Sequence, residues 1–248
     1  MNTDWTKDTT LREIVAACPQ ARPILDKHRL DYCCGGAQSL ETAAIEAGVD
    51  AGAILEELLR AEFPAGAPQG GSIDWTRAPL SELAAHILAK HHAYMREVLP
   101  RIGLALPKVL RAHGARHGAT IEPLKHEFEG LCLELEAHLE KEERVLFPYI
   151  QALDAAAAGG TGLPPHHCGT VRNPIRQMEH EHTEAGRALV EMRRLTSDYA
   201  LPGDACPTFS GLYRDLQAME ADLHEHIHLE NNILFPRAVA IEAELAGI

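Results

Sequence analysis

The sequence lacks the features that mark several common classes of protein. No apolar run approaches the ~18 residues of a membrane-spanning helix, and the first residues contain no apolar segment typical of a signal peptide. Basic residues are outnumbered, with 23 Lys and Arg against 36 Asp and Glu, so nucleic acid and anionic membranes are not expected partners. No segment shows the sustained alternation of a half-buried strand. The chain is therefore expected to be all-α.

Cysteine is also scarce. Six cysteines in 248 residues are too few for a disulfide framework, which favours a reducing, cytoplasmic compartment. Two of them, Cys33 and Cys34, are adjacent in the segment Asp-Tyr-Cys-Cys-Gly-Gly at 31–36. Adjacent thiols in a turn fit a redox or metal-transfer pair, and they fit equally well two small residues that pack beside the turn. The residues alone leave both interpretations open.

Histidine is abundant, and part of it belongs to an internal repeat. Residues 138–148 read HLEKEERVLFP and residues 226–236 read HIHLENNILFP. Both copies contain His-x-x-x-Glu-x-x-x-Leu-Phe-Pro, offset by 88 residues. Four residues advance a helix by about 400°, so the His and Glu of each copy share one face, roughly 6 Å apart along the axis. Two such helices would form the two walls of a two-metal site.

The repeat includes two further histidines. His92 lies 46 residues before His138, and His182 lies 44 residues before His226. A lone His followed by a His-x-x-x-Glu motif therefore occurs twice along the chain. This order predicts a duplicated helical hairpin that binds one metal ion in each half.

Composition divides the chain into three parts. Residues 1–63 predict a small helical domain with a capping box at Thr10 and Glu13. Residues 64–73, rich in Gly and Pro, predict a linker, and residues 74–248 predict a four-helix bundle. The four bundle helices are expected at about Pro79–His113, at Ile121–Leu153, from an N-cap at Asn173 to before Pro202, and at Pro207–Leu245.

The helical register predicts which polar side chains point inward. A bundle helix keeps its core side chains on one stripe by steps of three and four residues. On the second helix this stripe continues from Glu142 to Val145. The periodicity disfavours the neighbouring histidines His91, His180, His224 and His228. It selects six inward polar side chains: His92, His138, Glu142, His182, His226 and Glu230.

These six groups favour a metal site over an ordinary polar core. Two unpaired buried carboxylates would be costly, and binding a divalent ion removes that cost. Mixed imidazole and carboxylate ligands suit iron, manganese or zinc, and they exclude sites made of sulfur ligands alone. Bridging carboxylates with open coordination positions favour iron that binds small diatomic ligands or releases metal.

Two other metal motifs match parts of the sequence. Residues 224–228 fit the His-Glu-x-x-His pattern of zinc proteases. Turning the outer histidines of that motif inward would, however, turn His226 and Glu230 outward. The Glu-x-x-His pairs at 179–182 and 225–228 are similar to the ferritin carboxylate motif. That class also needs lone inward glutamates on the other two helices, and the register does not supply them.

The Asp-Tyr-Cys-Cys-Gly-Gly segment and the doubled His/Glu motif together resemble the repair of iron centres family over nearly the whole chain. These are hemerythrin-like proteins with an N-terminal cysteine-containing domain. The resemblance implies a non-haem di-iron centre, with two iron ions, whose ligands are His92, His138, His182 and His226 and whose bridging carboxylates are Glu142 and Glu230. It also implies supporting or iron-exit roles for Glu134 and Glu181, and a redox or iron-transfer role for Cys33 and Cys34.

The resemblance implies repair of iron–sulfur clusters damaged by nitric oxide or oxidants, by donation of iron, together with binding of nitric oxide. Damaged iron–sulfur proteins are then the expected partners, and a homodimer is one expected state. Two alternatives use the same six ligands. One is a scavenger or sensor that binds nitric oxide or dioxygen, and the other is an enzyme that reduces nitric oxide. The alternatives differ in what leaves the site: iron, unchanged ligand or a reduced nitrogen oxide.

Overall fold

The computed structural model describes residues 4–61, 73–165 and 169–247, and the regular elements in these ranges are helical. The predicted all-α fold is therefore confirmed. One isolated backbone bridge joins Thr10 to Ser39. Among the helices described, none has both the length and the apolar character needed to cross a membrane.

The chain divides into two units, and the first comprises Met1–Pro79 together with Ile227–Pro236. The predicted capping box begins its first helix, because Thr10 Oγ1 accepts the N–H of Glu13 and the Glu13 carboxylate accepts the N–H of Thr10. Gly48 ends the third helix in the left-handed conformation, with φ 68°. The helices are α1 (Leu11–Ala17), α2 (Arg22–Lys27), α3 (Leu40–Ala47) and α4 (Ala51–Arg60).

The second unit comprises Leu80–His226 and Arg237–Ile248. In it α5 packs on α7, and α6 packs on α8 through apolar side chains spaced three and four residues apart. The last two helices extend into the segment 227–236. The helices are α5 (Leu80–Ile87), α6 (Ala93–Lys141), α7 (Phe147–Gly159), α8 (Arg172–Thr196), α9 (Pro207–Leu229) and α10 (Phe235–Ala246).

Helix α6 reverses its direction. A straight helix of 49 residues would be about 73 Å long. Nevertheless His92 Nε2, just before α6, lies 3.4 Å from Glu142 Oε2, just after it. A Cβ on Gly103 would lie 4.0 Å from the ring of Phe128, so the two halves of α6 run side by side. The reversal falls about midway, near residues 115–118.

The sequence predicted a non-helical break between the first two bundle helices, at residues 114–120, and this prediction was wrong. Residues 114–120 are helical on both sides of the reversal, and no loop separates the two halves. Gly114 and Gly118 are not among the residues with positive φ. The antiparallel pairing that the break implied is nevertheless present. The hairpin brings the start and the end of α6 together, and with them the first His-x-x-x-Glu motif and His92.

Among the described residues, three single π-helical turns interrupt the second unit's helices and their continuation, at Leu88–His92, Glu142–Leu146 and Glu230–Leu234. In the last two, the N–H of the Phe in Leu-Phe-Pro bonds to the carbonyl five residues earlier, on Glu142 or Glu230. The Pro that follows has no N–H and its ring crowds the carbonyl four residues earlier, so a wider turn relieves the clash. No proline accounts for the first π turn.

Two further expectations differ from the structure or lie beyond it. Asn173 does not cap the third bundle helix, because α8 already begins at Arg172 after Val171. Its Oδ1 instead accepts a hydrogen bond from Arg176, one turn later. The linker predicted at 64–73 lies outside the described residues, except for Ile73. Separate folding of the predicted N-terminal domain and bundle stays a prediction.

Candidate metal centre

The six polar side chains selected by the register are all buried. Glu142 and Glu230 are fully buried, and the four histidines are at most 3% exposed. Buried carboxylates and imidazoles need polar or ionic partners, because burial without them costs several kcal/mol. The six residues are His92, His138, Glu142, His182, His226 and Glu230.

Two groups of potential ligands emerge from these six side chains. In each group, the ligand atoms lie within 4.8 Å of one another. Both groups contain Glu142 and Glu230, so the two carboxylates are common to them. Glu230 begins the π turn that directly continues α9, one helical turn after His226. The first group adds His92 and His226, and the second adds His138 and His182.

The distances between the donor atoms match a set arranged around a small cation. His138 Nε2 lies 3.1 Å from His182 Nε2, and Glu142 Oε2 lies 3.4 Å from the Nε2 atoms of His92 and His138. Two atoms that each bind an ion at about 2.1 Å are about 3.0 Å apart when the angle between them is 90°, and farther apart when it is wider. Each of these spacings therefore fits two atoms that bind the same metal ion.

Glu142 provides a second test of the fit. Neither of its carboxylate oxygens accepts a hydrogen bond from the described residues, although the side chain is fully buried. A buried carboxylate without hydrogen bonds is rare in a stable protein unless a cation neutralises it. The two imidazole Nε2 atoms that face Glu142 offer lone pairs to the same ion. The donor set thus fits iron, manganese or zinc, as the sequence predicted.

Two outer carboxylates orient two of the histidines. His92 Nδ1 donates to Glu143 Oε1 and His138 Nδ1 donates to Glu181 Oε2, both at 2.8 Å. Each bond holds the proton on Nδ1, which leaves Nε2 as the lone-pair nitrogen that faces the other ligands. Such bonds also raise the basicity of an imidazole ligand.

The charge state of these outer carboxylates suits that role. Burial alone would raise the pKa of Glu143, but hydrogen bonds from Arg96 and His92 outweigh it and lower the pKa below its usual range. Burial acts likewise on Glu181, yet hydrogen bonds from His138, Lys141 and a neighbouring amide lower its pKa to about 2. Both groups are therefore ionised acceptors at neutral pH.

The family resemblance, and not the register, implied two members of this outer layer. Of these two, Glu181 lies beside His138. Glu134, expected to be near the centre, is exposed on α6 one turn before His138, and its role stays a prediction. The register did not predict Glu143, because it directly follows Glu142 and so falls off the inward stripe. The π turn at 142–146 places it against His92 instead.

Two histidines that the register disfavoured are nevertheless buried. His91 is fully buried, its Nδ1 lies 3.0 Å from Asp222 Oδ1, and its ring stacks on that of His226 with centroids 5.5 Å apart. His228 is 4% exposed and pairs with the side-chain amide of Asn232. Within the part of the chain that the structure describes, neither belongs to a group of potential ligands. Burial alone therefore does not distinguish the candidate ligands from their neighbours.

The adjacent cysteines form a separate cluster in the first unit. Asp31 Oδ1 accepts the backbone N–H groups of Cys33 and Cys34 and the Cys33 thiol, at 3.1, 2.8 and 3.0 Å. The two sulfurs are 3.9 Å apart, so no disulfide joins them. These three residues form another potential metal-binding group. The hydrogen bond with Cys34 and burial raise the pKa of Cys33 well above its usual range.

Two asparagines of the first unit support this cysteine turn. Asn231 Nδ2 donates to the carbonyl of Cys33 at 3.2 Å. Asn232 Nδ2 donates to the carbonyl of Tyr32 at 3.0 Å, and its Oδ1 accepts a hydrogen bond from Arg12. Both asparagines follow directly after Glu230 within the second Leu-Phe-Pro motif, whereas the first copy has Glu143 and Arg144 there. The two copies of the repeat therefore differ at the positions that bind the turn.

Comparison with known proteins agrees with these motifs. Residues 83–238 match the family model described as the hemerythrin HHE cation binding domain, and residues 7–62 match the ScdA_N domain of unknown function. Iron-sulfur cluster repair protein YtfE of Cronobacter sakazakii is 39% identical over 238 residues, which cover 95% of this chain and 98% of that protein.

Further relatives with the same name show similar coverage. The protein of Escherichia coli O157:H7 is 37% identical, over 95% of this chain and 99% of its own length. The protein of Edwardsiella ictaluri is 37% identical, over 94% of this chain and 97% of its own length. The hemerythrin match and the His/Glu groups together indicate iron binding. The family resemblance seen in the sequence motifs is confirmed, and the chain belongs to the hemerythrin-like repair of iron centres family of iron–sulfur cluster repair proteins.

Proposed function

We propose that the protein repairs iron–sulfur clusters damaged by nitric oxide or oxidants, and that it does so by donating iron from a centre of two ions. The observation that carries the proposal is the pair of ligand groups that share Glu142 and Glu230. The relatives' name, iron-sulfur cluster repair protein, supports the class of recipient. A cytoplasmic location and a homodimer belong to the same proposal.

In this proposal the six grouped residues are the ligands. His92 and His226 would bind one ion, His138 and His182 would bind the other, and the two shared carboxylates would contact both. Bound iron supplies redox chemistry and open coordination positions for small ligands such as nitric oxide or dioxygen. The chain's own residues hold the donor atoms in place, mainly through Glu143 and Glu181, which fix the Nδ1 protons of two histidines.

The balance of charge favours a centre that can give up iron. Two shared carboxylates and four neutral imidazoles supply two negative charges for two divalent ions, in contrast to the four of an all-thiolate site. Glu143 also forms a salt bridge with Arg96, and Glu181 also forms one with Lys141. Both carboxylates are only partly buried. These outer pairs lie between the ligand histidines and solvent, so their carboxylates are the first acceptors that a departing cation would meet.

We also propose that Cys33 and Cys34 take part in transfer and not in iron storage. Cys34 is the more exposed of the two thiols, and Asp31 lies beside both sulfurs and the backbone N–H groups of the turn. The Asp31, Cys33 and Cys34 donors form a group that suits transient metal binding. The double change Cys33→Ser and Cys34→Ser is expected to slow cluster recovery and to leave the iron content unchanged.

A nitric oxide or dioxygen scavenger, or a sensor, is the second candidate function. The burial of all six ligands favours it, because buried open positions admit diatomic molecules more readily than large ligands. A reductase would use the same site. Reduced protein is expected to bind nitric oxide with a new visible absorption band. Release of unchanged nitric oxide supports the scavenger, and nitrous oxide formed over many turnovers supports the reductase.

The repair proposal is tested with protein loaded with isotopically labelled iron and mixed with an iron–sulfur enzyme inactivated by nitric oxide. Wild type should carry about two iron ions per chain and transfer the label into the reactivated enzyme. His182→Ala should lose iron and activity, whereas His180→Ala, an exposed histidine two residues earlier on α8, should behave as wild type. One bound zinc without iron, or equal reactivation by His182→Ala, would contradict the proposal.

A further inference from the structure

A second cluster of nitrogen, oxygen and sulfur donors lies in the second unit, far along the chain from the His/Glu groups. His113 and His117 are four residues apart on α6 and therefore share one helical face. Asp204 and Cys206 lie in the segment just before α9, which begins at Pro207. Ligand atoms of the two histidines and Asp204 lie within 4.8 Å of one another.

Packing holds these side chains in place. His117 Nε2 lies 2.8 Å from Asp204 Oδ1, and Cys206 follows Asp204 by two residues. The ring of Phe209, which is fully buried in the first turn of α9, lies 5.3 and 5.9 Å from the two imidazole centroids. The imidazoles are therefore anchored on their apolar side, and their nitrogen atoms are directed to the segment before α9.

We propose that His113, His117 and Asp204 bind a zinc ion, and that Cys206, which lies outside the group of close ligand atoms, turns towards the ion as the fourth ligand. Two imidazoles, one carboxylate and one thiolate make a four-ligand set that suits zinc, a borderline metal with tetrahedral preference. The set differs from the His/Glu groups in containing sulfur and in lacking a shared carboxylate. The site is independent of the proposed iron donation, and loss of either leaves the other unaffected.

The contacts already present allow an ion to enter. Arg116 Nη1 holds Asp204 Oδ2 at 2.8 Å, so this salt bridge can persist while Oδ1 binds the ion. The side chains of His117 and Asp204 are 24% and 35% exposed, which gives a path from solvent. Zinc would replace the hydrogen atom between His117 Nε2 and Asp204 Oδ1, and the His117 ring would then carry its proton on Nδ1. The Cys206 thiol would lose its proton to solvent when it binds.

The electrostatic surroundings of Cys206 are compatible with this role. The neighbouring His113 lowers the pKa of Cys206 to about 7, in contrast to the usual value near 8.5.

The position of the cluster indicates what the ion would do. His113 and His117 lie at the reversal of α6, at the opposite end of that hairpin from His92 and Glu142. Asp204 and Cys206 lie just before α9, which carries His226 near its far end. A zinc ion would thus cross-link the turn of the hairpin to the start of α9. It would stabilise the fold without taking part in handling iron.

The first test measures zinc binding to full-length, iron-loaded protein by equilibrium dialysis, with iron determined in the same samples. Wild type should bind one zinc more than the His113→Ala and His117→Ala double variant, with iron retained in both. The affinity should fall by at least about 100-fold, since loss of supporting groups alone weakens metal binding 10–100-fold. His126→Ala, an exposed histidine also on α6, serves as the matched control and should bind zinc as wild type does.

The second test uses cobalt(II) as a spectroscopic probe in the same iron-loaded protein. A thiolate ligand gives a near-ultraviolet charge-transfer band, which Cys206→Ser should abolish and Cys33→Ser with Cys34→Ser should leave intact. The opposite result would place the metal at the Asp31 turn and overturn the proposal. Equal zinc binding by wild type and the double histidine variant, or binding only with loss of iron, would also overturn it, because the cluster would then be an ordinary surface ion pair.

Discussion

The clearest test of the candidate centre is the substitution Glu181→Gln. In the structure Glu181 accepts a hydrogen bond from His138 Nδ1 at 2.8 Å, and its other oxygen accepts hydrogen bonds from Lys141 and from Gln177 at 2.8 Å. Glutamine keeps the size of the side chain and one acceptor oxygen but loses the negative charge. His138 then becomes a less basic ligand, and its tautomer is no longer fixed by a carboxylate.

The expected loss follows from the role of such supporting carboxylates. Removing one typically weakens metal affinity 10–100-fold, which corresponds to about 1.4–2.8 kcal/mol. The loss should be unequal within the centre, because Glu181 supports the group that contains His138 and His182, whereas Glu143 supports His92 in the other. Under competition, the iron content should therefore fall from about two ions per chain towards one.

The assay is competition with a chelator of known affinity, with the iron that remains bound measured at each chelator concentration. Glu184→Gln is the matched control, because Glu184 is on the same helix and pairs with Arg187 at the surface. That variant should hold iron as wild type does. If Glu181→Gln retains both ions at wild-type affinity, or if the control loses as much iron, the supporting role assigned to Glu181 is refuted.

Three further predictions concern the ligands, the cysteine turn and pH. His226→Ala should remove iron and His224→Ala should leave most of it, as measured by metal analysis; the reverse would show that the wrong helical face was chosen. Gly36→Ala should lower the melting temperature, because a Cβ there would overlap the side chain of Asn232. Its control is Gly130→Ala, which has open space around it and should stabilise α6 by about 0.5–1 kcal/mol. An unchanged melting temperature of Gly36→Ala would contradict the contact with Asn232. Wild type should lose iron as the pH falls below about 6, since protonated imidazoles do not bind metal; retention at pH 5 would argue against histidine ligands.

The inward positions could be predicted from the sequence because steps of three and four residues define one face of a helix. The same rule failed at Val145, which is half-buried, while Leu146 is buried in its place. The π turn that begins at Glu142 adds one residue to the turn and moves the buried stripe along by one position. A single distorted turn produces no periodic pattern of apolar residues in the sequence, although Pro148, which follows this turn, is a local signal for it.

Contacts across the hairpin were beyond prediction for a different reason. The bond between Glu143 and His92 joins residues 51 positions apart, and the stacking of His91 on His226 joins still more distant ones. Both depend on the exact packing of helices and not on the periodicity of either one. The cluster of His113, His117 and Asp204 was missed likewise, because the i,i+4 histidine pair is visible in the sequence but its partner lies 87 residues later.

The π turns also constrain the length of the chain. A π turn contains one residue more than an α-helical turn, and each residue of a helix rotates the following segment by about 100°. In the turn at 142–146 the extra residue is taken up within the turn, because the buried Leu146, Phe147 and Ile150 lie four, five and eight residues after Glu142. Deleting Arg144 would place them three, four and seven residues after Glu142, which is the α-helical spacing of one face. These side chains should therefore stay in the core, and the deletion should cost stability mainly because Pro148 again crowds the carbonyl four residues before it. The same holds for the turn at 230–234.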